Sequence, residues 1–239
     1  MEVLELLTNI LFPKKCLGCG EWGNYLCSNC LNLITVCQKN ICPQCCQPSF
    51  NGLTHFSCCR AFGLAGLTSI FSYKGVVKKA IGKLKYQFVT DLSATILELF
   101  LSFCGENKAF TKFVSQKKVI LVPVPLYWQR KNWRGFNQAE LLGKMISQKL
   151  GIGFIPDLLI RIKNTNTQTK LTKKERIQNI NNAFEINKKY SNIFKSFNPS
   201  ILLFDDVWTT GATLKECAKV LKRKYKTSQI WGLTLARQE

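Results

Sequence analysis

The sequence has a single histidine, His55, only 14 acidic residues against 34 lysines and arginines, and no apolar run long enough to span a membrane. Each shortage excludes something. With its one imidazole inside a cysteine cluster, the rest of the chain has no histidine for general base chemistry. Without about 20 consecutive apolar residues there is no membrane-crossing helix, and no membrane insertion is expected. Residues 1–12 are apolar but carry Glu2 and Glu5, lack a basic start and run straight into cysteines, so they do not read as a secretory signal. A cytoplasmic location is expected, where paired thiols are more often metal ligands than disulfides. Apart from recurrent Cys-x-x-Cys pairs, no internal repeat stands out.

What is present is divided unevenly. Ten of the 12 cysteines fall in residues 1–60, and only Cys104 and Cys217, on apolar helical faces and simplest as core residues, lie beyond. Charge runs the other way: residues 1–60 hold four Lys/Arg against three Glu, a net of +1, so the other 179 residues carry +19 of the total +20. A 239-residue chain has room for one ordinary domain and a small appendage. The expected division is therefore a cysteine-rich module over 1–60 and a main domain over 61–239. The charge and a pI of about 9.6 favour polyanionic partners such as nucleic acid, acidic lipid or phosphorylated metabolites. A solvated lysine-rich surface accounts for the same charge.

Residues 3–12 read as a short apolar helix stopped by Pro13. The stretch from Cys16 to Cys59 has Gly, Asn and Pro between its thiols and too little apolar content for a core, so it needs metal to fold. Residues 67–73 are β-like, and 76–86 place Val77, Ala80, Ile81 and Leu84 at helical spacing. An apolar helix is expected over 92–104, a strand buried on both faces over 119–124, and an amphipathic helix over 138–150 closed by Gly151. Residues 161–182 are polar and basic and read as a long mobile loop passing into a helix. A second buried strand over 201–204, a helix over 213–224 and a last strand over 229–236 complete the pattern. Such alternation predicts an α/β fold with a doubly wound parallel sheet, whose ligands bind at the carboxyl ends of the strands.

The most informative segment is Ile201-Leu-Leu-Phe-Asp-Asp-Val-Trp-Thr-Thr-Gly-Ala-Thr213. A buried strand delivers Asp205 and Asp206 to its end, and the turn Thr209, Thr210, Gly211, Ala212, Thr213 opens a helix. Backbone N–H groups of such a turn, three threonine hydroxyls and a helix N-terminus suit a phosphate, and glycine permits its close approach. The carboxylates cannot face phosphate but suit sugar hydroxyls, which are donors. Phosphate beside a vicinal diol describes a ribose 5-phosphate. The segment resembles the 13-residue signature of the type I phosphoribosyltransferases, which bind phosphoribosyl pyrophosphate. An accidental strand–turn–helix with an acidic corner is the bland alternative.

In the cysteine-rich part, Cys16, Cys19, Cys27 and Cys30 form one set of four ligands at Cys-x-x-Cys spacing. Cys42 and Cys45 with His55 and Cys58 form a second. Two-residue spacing lets both members of a pair reach one tetrahedral Zn²⁺. In the second set His55, Cys58 and Cys59 compete, Cys46 duplicates Cys45, and cross-pairing between sets stays open. A closed four-ligand site is structural, with no open position for catalysis.

Further motifs narrow the resemblance. Val122-Pro-Val-Pro-Leu126, Arg130, Arg134-Gly-Phe-Asn-Gln-Ala-Glu140, Tyr73-x-Gly75, Leu84-Lys85-Tyr86 and the run Arg161…Thr165-x-x-Gln168-x-x-Leu171…Arg176-x-x-Asn179…Ala183-Phe184 together resemble the ComF family of competence proteins. The cysteine-rich start matches that family's double zinc ribbon. The resemblance implies a type I phosphoribosyltransferase core that binds phosphoribosyl pyrophosphate with Mg²⁺. It also implies a role in natural transformation, handling incoming single-stranded DNA in the cytoplasm with competence DNA-processing proteins as further partners. A firmly established reaction is lacking in the family. On this implication Asp205, Asp206 and Arg134 form the catalytic set. Arg130, Asn137 and Gln138 lie over the ligand, with arginines clamping its pyrophosphate. Residues 163–176 take the place of the flexible lid, with Gln168 and Arg176 as contacts, or form a disordered basic linker. Lys85 touches phosphate or DNA, or is simply a solvated helix-face lysine. The family commonly has His at Tyr127 and Arg at Asn132, so an acid or base at the former is missing here.

Three functions compete: a DNA-handling factor of transformation, an active phosphoribosyltransferase of nucleotide metabolism, and a ligand-sensing regulator. Trp22, Trp128, Trp133 and Trp208 offer base-stacking surfaces to the first, or serve as packing residues. Residues 234–239 carry no clear signal for recognition of an acceptor base.

Overall fold

Runs of consecutive apolar residues with no alternation need cover on both faces, which a parallel sheet between two helical layers supplies. The computed structural model, which describes residues 14–86, 90–164, 173–192, 194, 198–225 and 229–239, has this form. Its main sheet holds β1 (Gly66–Ser72), β2 (Val119–Pro123), β3 (Gly153–Phe154), β6 (Ser200–Trp208) and β7 (Ile230–Arg237). The order is β1-β7-β6-β2-β3 and every pairing is parallel. The expected helix over 3–12 lies outside the described residues.

Successive side chains of the central strands point to opposite faces, and both faces are buried. Leu202 and Phe204 of β6 join Val119 and Leu121 of β2 in one core. That core is closed by α2 (Gly75–Tyr86), α3 (Thr90–Glu106), α4 (Lys108–Val114) and α6 (Gln138–Leu150). Ile201 and Leu203 join Ile120 and Val122 in the other core, against α8 (Ala212–Lys224). Cys104 and Cys217 sit buried in these two cores, one in each. The fold is thus α/β and doubly wound.

Three differences from the sequence reading bear on the site. Strand β6 continues through both carboxylates to Trp208, because β7 stays paired with it to Arg237. The polar region 161–182, expected as a loop passing into a helix, has that helix as α7 (Lys173–Ile180). It is flanked, however, by an unforeseen strand pair, β4 (Leu159–Arg161) antiparallel to β5 (Phe184–Ile186). Strands of three residues are too short to show a period. A short helix after β2, α5 (Trp128–Arg134), is also unforeseen: Tyr127 gives it no side-chain cap, and Gly135 ends it in the left-handed region at φ 77°.

The cysteine-rich segment, which contains the short α-helix α1 (Ser28–Asn32), is laid along the sheet. Its residues pair antiparallel to β1 through Cys37 N–H to Ile70 O (2.7 Å) and Ser72 N–H to Thr35 O (2.8 Å). This covers the unpaired edge of β1, which would otherwise be open to another chain.

At the opposite side of β1, Gly66 lies beside Trp231, and a methyl group added there would overlap the indole. The ring cannot yield easily, since it is buried and its Nε1–H donates to Thr68 Oγ1 at 3.0 Å. Gly66→Ala is therefore expected to destabilise the protein by about 1–3 kcal/mol. A thermal melt should show it as a loss of several degrees.

Candidate functional site

A cleft of ≈ 460 Å³ opens at the carboxyl ends of β2 and β6. Its floor is the acid pair. Asp206 is 6% exposed, and its Oδ2 accepts from Gln138 Nε2 at 2.9 Å and pairs with Lys85 Nζ at 3.1 Å. Asp205 Oδ1 accepts from the backbone N–H of Asp206 at 2.9 Å, while its side chain faces the cleft. Burial, reinforced by the charge of Asp206, pushes the Asp205 carboxyl up to about 7. Lys85 is raised above its ordinary value: burial works against its charge, but Asp206 outweighs it. It is thus a partner of the acid pair. The simpler expectation of a solvated helix-face lysine is corrected, because β6 carries Asp206 to the end of α2.

Beyond the acids the chain turns sharply. Gly211 has φ 74° and lies against the ring of Trp208, where any side chain would overlap the indole. Glycine is required there twice, by conformation and by contact. Thr209, Gly211, Ala212 and Thr213 line the cleft, with α8 starting at Ala212. Thr210 does not. Its Oγ1 accepts from Ala212 N–H at 3.3 Å, and it borders a neighbouring depression between α8 and the cysteine-rich segment.

The opposite wall is cationic. Helix α5 supplies Arg130 and Arg134, and β4 supplies Arg161. Arg161 is lowered by burial and then by the charge of Arg130; Arg130 is lowered by burial and then by Arg134. Like charges held together in a partly desolvated wall favour an anionic occupant. Arg134 Nη1 donates to Gln138 Oε1 at 3.3 Å, and its Nε is buried with no hydrogen-bond partner among the described residues. Gln138 therefore joins the acid pair to the cationic wall. Asn137 also borders the cleft, but both ends of its amide serve the backbone: Oδ1 caps α6 by accepting from Ala139 N–H, and Nδ2 donates to Val124 O, each at 3.1 Å.

Gln168 lies outside the described residues, and of Arg176 only its place in α7 is described. Trp208 is 2% exposed and is a packing residue, so its expectation as a stacking surface is corrected; Trp22, Trp128 and Trp133 are exposed. The sequence marks Arg161 only as part of the family motif. Nothing local to it announces a cleft residue, because a three-residue strand brings it there.

Two further constellations lie in the cysteine-rich segment. Cys16, Cys19, Cys27 and Cys30 bring their sulfurs within 4.8 Å of one another, and so do the ligand atoms of Cys42, Cys45, His55 and Cys58. The Cys16–Cys27 and Cys19–Cys27 sulfur separations are 3.6 and 3.7 Å, and Cys45 Sγ lies 3.5 Å from His55 Nδ1. Tetrahedral Zn²⁺ with bonds of about 2.3 Å to sulfur and 2.0–2.1 Å to nitrogen requires edges of about 3.5–3.8 Å. His55 Nε2 meets Pro48 O at 3.0 Å, which leaves Nδ1 for metal. Both sets could hold zinc, and among the open alternatives His55 and Cys58 join Cys42 and Cys45, while Cys46 and Cys59 stand outside.

Parallel sheet, acid pair and threonine–glycine turn together define a protein of the type I phosphoribosyltransferase-like fold. Among proteins similar to the chain is the DNA utilization protein YhgH of Shigella flexneri, 30% identical over 223 residues that cover 91% of this chain and 92% of that protein. Competence protein ComFC of Bacillus subtilis is 29% identical over 222 residues, covering 89% and 84%. Competence protein F of Haemophilus influenzae is 40% identical over 119 residues, about half of each chain. No protein-family model matches. The chain belongs to the ComF family.

Two outcomes follow from this geometry. Cys58→Ala should lower the zinc content by one ion per chain, read by elemental analysis, with the Cys16 set still loaded. Because folded Asp205 keeps its proton up to about pH 7, against 3.8 for an ordinary aspartate, its ionisation erodes stability as pH rises between those values. Asp205→Asn is therefore expected to be more stable than wild type at pH 8, by about 1–2 kcal/mol, and equal to it near pH 4. Parallel denaturant titrations at the two pH values test this.

Proposed function

We propose that the cleft binds phosphoribosyl pyrophosphate and that the protein acts in DNA utilisation or competence, handling single-stranded DNA in the cytoplasm. The observation that carries the ligand reading is the placement of Asp205 and Asp206 over the left-handed Gly211 turn, facing Arg130, Arg134 and Arg161 across one cleft. In this reading the ribose hydroxyls donate to the carboxylates, and the 5-phosphate takes the turn at Thr209, Gly211, Ala212 and Thr213. The N-terminus of α8 and the backbone of the turn supply its donors. The pyrophosphate lies against the arginine wall, where the buried Arg134 Nε has an unmet hydrogen bond to offer. Thr210 stiffens the turn, and Asn137 holds α6 in place.

The residues fit a divalent cation arriving with the ligand. Two adjacent carboxylates face one lysine, and burial together with the charge of Asp206 pushes the Asp205 carboxyl up to about 7. When bound, Mg²⁺ would offset the charge of the pyrophosphate. Asp205 and Asp206 are the residues that would hold it.

For the DNA-related role, the supports are the relatives named for DNA utilization and competence and the +19 carried by residues 61–239. The division near residue 60 belongs to the same proposal, with a zinc-held module ahead of a ligand-binding domain. Turnover would make the protein a phosphoribosyltransferase, and the cleft offers arginines but no histidine to assist a departing pyrophosphate.

Calorimetry with Mg²⁺ and phosphoribosyl pyrophosphate should register binding to the wild type, weakened roughly 10- to 100-fold in Asp205→Asn with Asp206→Asn. Absence of heat with the wild type would overturn the ligand reading. Single-stranded DNA should bind with a log affinity that falls linearly with log salt, by about 0.7 per phosphate contacted. A wild type that binds no strand at low salt would overturn the DNA reading.

A further inference from the structure

The rim of the cleft carries aromatic rings that no core accounts for. Tyr86, the last residue of α2, is 60% exposed, and Trp133 in α5 is 73% exposed. Their rings lie edge to face, 5.7 Å between centroids at 85°, and the Arg134 guanidinium sits 5.3 Å from the Tyr86 ring. Keeping two large rings in water costs apolar burial, and neither ring belongs to the two cores of the described residues. An edge-to-face contact also leaves a face of the exposed Trp133 ring available to a third planar group.

The charge around the rings selects that group. Helices α2 and α5 together carry seven lysines and arginines and no carboxylate. Of these, Lys85 is engaged by Asp206, Lys131 by Glu140 and Arg134 by Gln138, and Lys83 lies over the Tyr25 ring, all keeping their positive charge on this face. A planar apolar ligand tethered to regularly spaced negative charge fits both features; an apolar protein helix fits only the rings.

We infer that Tyr86 and Trp133 form a stacking site for an unpaired base of single-stranded DNA, with the strand's phosphates following the basic faces of α2 and α5. This rests on the DNA reading above and adds to it a place and a mode of contact. A base stacked on Trp133 beside Tyr86 lies at the mouth of the ligand cleft, since Tyr86 and Arg134 border the cleft. Strand and ligand would then meet along one wall.

Stacking contributes about 1–3 kcal/mol per base and tolerates any sequence. Trp133 is exposed and lies outside the cleft lining, so its replacement spares both the fold and the ligand site. Fluorescence anisotropy with an oligothymidylate and with an abasic strand of equal length separates stacking from charge. Wild type is expected to prefer the thymidylate strand. Trp133→Ala should lose roughly 5- to 100-fold of that affinity and most of the preference. Trp133→Phe should retain most of both, and calorimetric binding of phosphoribosyl pyrophosphate should be unchanged in either variant. Equal binding of the two strands by the wild type, or wild-type affinity in Trp133→Ala, overturns the stacking site while leaving the DNA reading intact. A wild type that binds neither strand overturns both. Thymidine monophosphate in excess should compete only weakly; strong competition would reassign the rings to a free nucleotide.

Discussion

The contact on which the cleft depends is the partly buried triad of Lys85, Asp206 and Gln138. Asp206 is delivered by the central strand, Lys85 by α2 and Gln138 by α6, so three elements distant in sequence are held in register by one carboxylate. A buried carboxylate with one partner removed would be costly to keep ionised. Here the lysine supplies charge and the amide a second donor, while burial and the charge of Asp206 raise the neighbouring Asp205. Gln138 passes the arrangement on to Arg134 through its carbonyl oxygen. The cleft is consequently polarised before any ligand arrives: acids on one side, three arginines on the other.

The cysteine-rich segment is attached to these elements by backbone and side-chain hydrogen bonds. It covers the open edge of β1, and it reaches the strands that carry the site. Arg237, which closes β7 beside Trp208, donates to Lys39 O at 2.8 Å. Lys215, in the first turn of α8, donates to Gln44 O at 3.2 Å. Gln44 lies between Cys42 and Cys45 of the second ligand set, so a metal that shapes this knuckle also shapes a support of the threonine–glycine turn. A segment too poor in apolar residues to fold on a core of its own gains its order from thiolates and from the sheet it protects.

Long elements with one strong pattern were legible in the sequence. The helix over Gln138–Leu150 with its glycine stop and the buried character of β2 and β6 follow from composition and period alone. So do the acid pair and the turn at Gly211, whose residue types have few other uses together. Less legible were elements whose existence depends on a neighbour. Helix α5 has no cap to announce it, and β4 and β5 are each too short to alternate, yet between them they place Arg130, Arg134 and Arg161. Thr210 and Asn137 have the right chemistry at the right positions in the chain, but the turn and the cap consume their polar atoms.

The sequence by itself determined the class of fold, the first four metal ligands and the residues that a phosphate and a sugar would need, because those depend on local pattern and on residue type. Which of the later thiols and His55 share a site was decided by the tertiary structure. Only the tertiary structure decided that Lys85 neutralises Asp206, that Asp205 is left near a pKa of 7, that Trp208 is buried under Gly211, and that Tyr86 meets Trp133. Each of these is a meeting between residues far apart in the chain. Its energy arises from desolvation and close approach, which exist only after the layers have packed.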